Sequence, residues 1–330
     1  MRTKMFKRVV IASALALVLA ACGDEKKAVV ESSAPATTNP ATETTQPAAP
    51  KTVTIKHGSG ETVVPLNADK VISFDLGAID TLEVLGVDIQ GLPKANLPSY
   101  LVEYKGDKYG DFGSLKEPNF EAIHAAKPEV IIIALRQAAM YDQFAEIAPT
   151  VNLSLDEQNY IESTISNVRT IGKMFDKEDA VEAEIKALQD KVAKVHEQTS
   201  NMSETALILL VNDGKISAYG PGSRFGIIHD ELGFKPADKG IQVSRHGQTA
   251  SFEYVMDLNP DYIFVVDRSA VVGNSETSAK QVVENDLVKN TNAYKNNKII
   301  YLDPNVWYLS GGGIKSTTKM VDDVQDAINQ

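Results

Sequence analysis

One pattern occurs twice in the chain, at residues 120–136 and 252–268, and it constrains the fold more than any other feature. Each element of the second copy follows its counterpart by 132 residues: a Phe-Glu pair, a proline with an acidic residue after it, an apolar run and an arginine. Each copy predicts a short amphipathic helix, a turn at the proline and a buried strand, namely Val130 to Leu135 and Tyr262 to Asp267. The chain is therefore predicted to hold two structurally equivalent lobes.

Alternating strands and helices surround both copies, as expected of βα lobes. Between them, Lys177 to Leu210 contains neither glycine nor proline, and apolar residues recur at spacings of four and three: Val181, Ile185, Leu188, Val192 and Val195. This stripe predicts one helix of about 20 residues, roughly 30 Å long. The predicted fold class is α/β, with two βα lobes joined by a single long helix, and such a stiff connection implies only a small closure.

The predicted domain boundaries follow from these patterns. The amino-terminal lobe covers residues 52–174, the connecting helix 175–200 and the carboxyl-terminal lobe 201–330. Residues 22–51 are rich in proline, alanine and threonine and are predicted to be a disordered tether, because they have almost no large apolar side chain to bury.

The first 21 residues have the pattern of a secretory signal peptide. Four basic residues precede an apolar stretch that is too short to span a bilayer permanently, and small residues lead into Cys22. Cys22 is the only cysteine, so it has no internal disulfide partner, and its position predicts acylation of its sulfur. The alternative is a stray thiol. We expect a lipoprotein anchored to the membrane on its extracytoplasmic side.

The net charge of the chain limits the kinds of partner that it can bind. A formal net charge of −11 argues against binding to nucleic acid or to anionic lipid surfaces. Arginine is scarce, so the arginines that end both repeat strands, Arg136 and Arg268, stand out. In open α/β sheets ligands bind beyond the carboxyl ends of the strands. A third arginine, Arg224, follows a Gly-Pro-Gly-Ser loop, and the three arginines together predict a cleft that binds a polyanion. Taken singly, each arginine could equally be a solvated charge or form a salt bridge.

Two further residues are candidate ligands for ferric iron. His246 lies in a polar loop before the second repeat helix, and Tyr308 follows a strand predicted at Lys298 to Leu302. The alternatives are a surface histidine and a packing aromatic residue. The other histidines are not spaced as metal pairs, and the motifs of hydrolases, metalloproteases and nucleotide-binding enzymes are absent from the sequence. We therefore do not expect an enzyme.

Glu121 and Glu253 begin the two repeat helices. A favourable interaction with the helix dipole would by itself explain a glutamate at either position. Their symmetry also suits docking, since one carboxylate on each lobe matches a pseudo-symmetric membrane transporter.

Several stretches resemble the class III substrate-binding proteins of ABC transporters for siderophores, haem and cobalamin, and among them the catecholate-siderophore lipoproteins. The stretches are Gly113 to Pro118, Asn212 to Ala218, Ser223-Arg224 with Gly226, His246-Gly247-Gln248, Lys280 to Asp286, and Trp307 to Gly313. The resemblance extends from about Thr52 to the carboxyl terminus.

The resemblance implies a function and a role for each candidate residue. Arg136, Arg224 and Arg268 would surround the catecholate oxygens of a ferric siderophore, and His246 and Tyr308 would complete the iron shell when the siderophore offers four donors. Glu121 and Glu253 would dock onto the dimeric ABC permease. The expected protein is a monomeric receptor without an intrinsic cofactor, facing the periplasm or the outer face of the cell membrane. The alternatives are a receptor for haem or cobalamin, a sensor lipoprotein and a secreted enzyme.

Overall fold

The computed structural model describes residues 51–273 and 277–330. The predicted signal peptide, Cys22 and the tether up to residue 50 lie outside the described residues. The strands are β1 (Thr52–His57), β2 (Gly60–Pro65), β3 (Val71–Ser73), β4 (Gly91–Leu92), β5 (Gly110–Asp111), β6 (Val130–Ile133), β7 (Thr150–Asn152), β8 (Thr205–Asn212), β9 (Lys215–Tyr219), β10 (Lys235–Pro236), β11 (Gln248–Ala250), β12 (Tyr262–Asp267) and β13 (Ile299–Leu302).

The helices connect and cover these strands. They are α1 (Leu76–Val84), α2 (Phe120–Ala126), α3 (Tyr141–Ala145), α4 (Tyr160–Met174), α5 (Glu178–Ser200), α6 (Ile227–Asp230), α7 (Phe252–Leu258), α8 (Ser269–Val272), α9 (Ala279–Val283), α10 (Asn292–Lys295) and α11 (Ile314–Ile328). Within residues 51–273 and 277–330, no helix combines the length and the apolar character needed to cross a membrane.

The described strands form two main sheets and one hairpin. The amino-terminal sheet has the order β5-β4-β3-β6-β7, and the pairs between neighbours are parallel. The carboxyl-terminal sheet has the order β11-β9-β8-β12-β13, and β10 pairs with the start of β8. β1 and β2 form a separate antiparallel hairpin. We call the parts built on the two main sheets the amino-terminal and carboxyl-terminal lobes, and this α/β arrangement agrees with the predicted fold class.

Each main sheet is buried on both faces. Successive residues of β6 alternate between two hydrophobic clusters, with Val130 and Ile132 in one and Ile131 and Ile133 in the other. β8 alternates in the same way. Because side chains of a strand point to opposite faces in turn, a strand covered on both faces reads as a continuous apolar run.

The two copies of the repeat adopt the same local structure. Helices α2 and α7 are both seven residues long, and the side chains of Asn119 and Ser251 cap their first turns. Both helices end at a residue with left-handed backbone conformation, Lys127 at φ 48° and Asn259 at φ 45°. The spacing of 132 residues therefore corresponds to equivalent caps as well as equivalent helices and strands. One boundary differs: β6 ends at Ile133, whereas Leu135 was predicted, and Leu135 is exposed.

The long helix predicted from the apolar stripe is confirmed as α5, which at 23 residues is about 35 Å long. Val181, Ile185, Leu188 and Val195 are buried along it, and Val192 is half-buried. A second connection lies between α1 and α11. The carboxylate of Asp80, fully buried in α1, accepts hydrogen bonds from the backbone N–H groups of Lys315 and Ser316, both at 3.1 Å. The amino-terminal lobe thus holds the first turn of the last helix directly.

Candidate functional site

A cleft that is partly open to solvent lies between the two lobes. Segments that follow β3, β6 and β7 line it on one side, and segments that precede α6 and α11 line it on the other. Its charged lining residues are Asp75, Arg136, Glu157, Arg224 and Arg245.

Tyr308, beside this cleft, is the residue on which three arginines converge. Arg136 donates to the backbone carbonyl oxygen of Tyr308 at 3.0 Å and to that of Leu309 at 3.3 Å. Arg224 donates to the same Tyr308 carbonyl, and its guanidinium carbon lies 4.3 Å from the centre of the tyrosine ring. The two arginines therefore share one acceptor, although they come from different lobes.

Arg268 contacts the side chain of Tyr308. It donates from Nε to the phenolic oxygen at 2.8 Å and also donates to the side-chain oxygen of Asn212. The backbone N–H of Arg268 donates to the carbonyl oxygen of Val211 at 3.0 Å. The end of β8 therefore positions Arg268, which directly follows β12. The structure thus brings together four of the predicted site residues: Arg136, Arg224, Arg268 and Tyr308.

These positive charges change the acidity of Tyr308. Burial raises the pKa of its phenol, but the hydrogen bond from Arg268 and the charges of Arg224 and Arg268 act in the opposite direction and are larger together. The pKa of Tyr308 is consequently below its ordinary value. A lower pKa favours the phenolate, which is the form that binds ferric iron.

Arg136 is half-buried, and desolvation is the main cause that lowers its pKa to about 10, with the charge of Arg224 as the next cause. It remains protonated at neutral pH. Three guanidiniums held close together repel one another, and this repulsion is relieved when an anion binds among them.

Backbone conformation holds Tyr308 in this position. Asn305–Leu309 form a π-helical turn, which is rare and occurs often at functional sites. The chain then passes through Gly311 at φ 87°, and a side chain at Gly313 would collide with Asp80 and with the carbonyl oxygen of Gly77. The three glycines at 311–313 therefore allow the segment with Tyr308 to lie directly against α1. The glycine run was the signal for this arrangement, but in the sequence alone it was too weak to support a prediction.

The other predicted residues lie elsewhere. His246 is exposed, and within residues 51–273 and 277–330 its only hydrogen bond is from its backbone N–H to the hydroxyl of Ser244, at 3.3 Å. Glu121 and Glu253 are exposed in the first turns of α2 and α7. Cys22 lies outside the described residues.

Two cleft residues were missed by reasoning from the sequence. Arg245 lines the cleft next to His246, and only the scarcity of arginine pointed to it. Trp307, the one tryptophan of the chain, is buried in the cleft wall and donates from its indole nitrogen to Asp323 at 2.9 Å. By contrast, Arg169 forms an exposed ion pair with Glu182 at 2.6 Å, away from the cleft.

Among the residues that the structure describes, no group of three or more histidine, cysteine, aspartate or glutamate side chains has the arrangement of a metal site. The arrangement instead offers guanidinium donors and one acidic phenol. Such a set recognises an anionic ligand by charge-assisted hydrogen bonds, each worth about 1.5 to 3 kcal/mol.

Comparison with known proteins gives consistent results. A family model described as "Periplasmic binding protein" matches residues 71–306. The petrobactin-binding protein YclQ of Bacillus subtilis (strain 168) is 45% identical over 331 residues, which cover 99% of this chain and all of the relative. The crystal structure of YclQ matches with a TM-score of 0.82 and 49% identity, over 85% of this chain and 99% of the other. The periplasmic catecholate-siderophore binding protein VctP from Vibrio cholerae matches with a TM-score of 0.80 and 38% identity, over 84% and 100% of the two chains.

Proposed function

The chain belongs to the periplasmic binding protein family, and we propose that it binds a ferric catecholate siderophore in the cleft and delivers it to an ABC permease. The observation that carries the proposal is the convergence of Arg136, Arg224 and Arg268 on Tyr308. Ferric catecholates are anionic and present several oxygen acceptors, and guanidinium groups match such acceptors in charge and geometry. The iron arrives with its ligand as cargo.

The relatives support this choice of ligand. YclQ is described as a petrobactin-binding protein and VctP as a catecholate-siderophore binding protein. Binding and transport require no acid-base or nucleophilic machinery, so the proposal does not involve an enzymatic step.

Tyr308 and His246 are the proposed direct ligands of iron when a siderophore supplies only four donors. The lowered pKa of Tyr308 supports this role for the phenol. For His246, the support is its place in the chain, because its neighbour Arg245 lines the cleft. An imidazole in this segment is therefore close in sequence to the ligand site.

Transport requires the loaded receptor to dock onto the permease dimer. We assign this role to Glu121 and Glu253, which are exposed at equivalent positions of the two repeat helices. Each lobe then presents one carboxylate, so a monomeric receptor meets the two permease subunits in a pseudo-symmetric manner.

Membrane attachment is assigned to acylation of Cys22, after removal of residues 1–21. The protein would then face the periplasm, or the outer face of the cell in a host without an outer membrane. Cys22→Ala should leave ligand binding unchanged and release the protein from washed membranes, as measured by immunoblotting of the fractions. Equal membrane retention of the variant and the parent would argue against this anchor.

Titration monitored by tryptophan fluorescence tests the function as a whole. Trp307 is the only tryptophan and lines the cleft, so a bound ferric chelate should quench its emission. We expect saturable quenching by ferric catecholates and much weaker quenching by the iron-free ligands. Saturation by haem or cobalamin, with no response to any ferric catecholate, would reassign the receptor.

A further inference from the structure

The charged residues in and beside the cleft fall into two groups, those with partners inside the protein and those without. Arg136, Arg224 and Arg268 donate to Tyr308, Leu309 and Asn212. Asp75 accepts hydrogen bonds from the backbone N–H groups of Gly77 at 2.9 Å and Ala78 at 3.2 Å, so it caps helix α1.

Glu157 and Arg245 form the second group. Both line the cleft, and neither has a hydrogen bond, an ion pair or a cation-π contact within residues 51–273 and 277–330. No ion pair joins them to each other. A ligand that contacts them therefore breaks no internal hydrogen bond, and the energy of each new contact is available for binding.

The two residues lie on segments that approach the same turn. A β-carbon at Gly222 would lie 4.0 Å from the side chain of Gln158, which follows Glu157, and 3.8 Å from that of Val243, two residues before Arg245. Gly222 itself comes two residues before Arg224. A free carboxylate and a free guanidinium thus border the arginine cluster near one turn.

The carboxylate of Glu157 indicates more about the ligand than Arg245 does. A cleft that binds only anions gains nothing from Glu157, because its negative charge repels the ligand in a half-buried site where screening is weak. Glu157 also caps no helix and pairs with no described residue. Its presence is explained if the ligand itself brings a positive charge.

We propose that Glu157 and Arg245 are specificity residues of the cleft: Arg245 donates to the anionic chelate, and Glu157 accepts from a protonated amine on the same ligand. This inference rests on the proposed function and narrows the ligand to ferric catecholates whose linker carries a cationic amine. The cleft would then recognise the iron centre and the linker separately.

The test uses two ferric catecholates with identical iron donors. One has a linker with a protonated secondary amine, and the other has the same amine acetylated and therefore neutral. The unaltered protein, Glu157→Gln and Arg245→Gln are titrated with both, and Glu162→Gln is the matched control, because Glu162 is exposed and does not line the cleft. Thermal unfolding followed by circular dichroism checks that every variant is folded.

We expect the unaltered protein to prefer the amine complex. Glu157→Gln should weaken that complex about tenfold and bind the acetylated complex as well as before or more tightly, since a repulsive charge has been removed. Arg245→Gln should weaken both complexes by a similar factor, and Glu162→Gln should change neither.

Equal effects of Glu157→Gln on the two complexes, or no effect on either, would overturn the assignment of Glu157. Unchanged binding by Arg245→Gln would overturn that of Arg245. In both cases the unaltered protein still binds ferric catecholates, and the proposed function stands. Failure of the unaltered protein to bind either complex would overturn the proposed function together with this inference.

Discussion

Arg268 donates a hydrogen bond from Nε to the phenolic oxygen of Tyr308 at 2.8 Å. Arg268 directly follows β12, the strand of the second repeat. The backbone carbonyl oxygen of the same tyrosine accepts a hydrogen bond from Arg136, the equivalent arginine of the first repeat. Two residues that are equivalent in sequence therefore bind opposite ends of one tyrosine, its backbone and its hydroxyl.

The first prediction concerns the ionisation of Tyr308. Arg268→Ala removes a hydrogen bond and a positive charge, so burial should then dominate and the pKa of Tyr308 should rise. The pKa is measured from the ultraviolet absorbance of tyrosinate, as the difference between each protein and its Tyr308→Phe counterpart. Arg169→Ala, which removes an arginine outside the cleft, should leave this pKa unchanged. An unshifted pKa in Arg268→Ala would show that the bond does not control the phenol.

The second prediction concerns the arginine cluster. Replacing any one of Arg136, Arg224 or Arg268 by alanine should weaken all ferric catecholates by about 1.5 to 3 kcal/mol, because each change removes charge-assisted hydrogen bonds. Since Arg136 and Arg224 share the carbonyl oxygen of Tyr308, their double variant should lose less than the sum of the single losses. Fluorescence titration measures both effects, and Arg169→Ala is again the control. Full additivity would argue against coupling through Tyr308.

The third prediction separates direct iron ligands from the anion site. His246→Ala and Tyr308→Phe should weaken tetradentate bis-catecholate complexes and abolish the shift of their charge-transfer band. Hexadentate complexes should be nearly unaffected, because six donors already fill the iron shell. If His246→Ala weakens both classes equally, the histidine does not bind iron and is an ordinary exposed residue of its loop.

The fourth prediction concerns docking. The double variant Glu121→Arg with Glu253→Arg should abolish siderophore uptake by cells and change ligand affinity by less than about threefold, or roughly 0.7 kcal/mol. Both side chains are exposed and neither lines the cleft. Glu184→Arg with Glu197→Arg, a matched change of two exposed residues on α5, should transport normally. Normal uptake by the Glu121 and Glu253 variant would leave these residues with a role in their helices alone.

The fifth prediction concerns Asp80 and pH. Burial is the main cause that raises the pKa of Asp80 from 3.8 to about 7. Because the folded state raises this pKa, the stabilising contribution is fully present below about pH 4 and is lost as the pH rises through 7. The free energy of unfolding should therefore fall across this window, by at most about 1.4 kcal/mol per pH unit from this group.

Asp80→Asn should remove that part of the pH dependence. It should also lower stability by about 1 to 3 kcal/mol in acid. There Asp80 is protonated but both of its oxygens can still accept a hydrogen bond, whereas the amide nitrogen of asparagine cannot, so one of the N–H groups of Lys315 and Ser316 loses its acceptor. Urea unfolding at several pH values measures both effects. Parallel stability profiles for the variant and the parent would contradict the shifted pKa.

Local structure was largely predictable from the sequence. β12 begins and ends at the predicted residues, and α5 follows from its apolar stripe. The residues of these elements follow a regular helix or strand pattern of apolar side chains, or end at a recognisable stop such as a proline turn. Rules that use only neighbouring residues are therefore enough to predict them. β6 stops two residues early, because past Ile133 the chain turns, and Gln137 accepts from the backbone N–H of Ala134 at 3.4 Å. An apolar run shows burial but does not show where a strand stops pairing.

The two equivalent lobes and the long connecting helix could be predicted without the structure, because a repeated pattern and an apolar stripe are visible directly along the chain. The repeat also made Arg136 and Arg268 candidates, and the loops that precede the other two residues, together with the family resemblance, added Arg224 and Tyr308. The folded structure was needed to show that Arg136 and Arg224 share the backbone carbonyl oxygen of Tyr308. It was also needed to show that Asp80 binds the first turn of α11 and that Arg245 rather than His246 lines the cleft. The physical reason is that these contacts join segments far apart in the chain, and their geometry depends on how two sheets and one glycine-rich turn pack against each other.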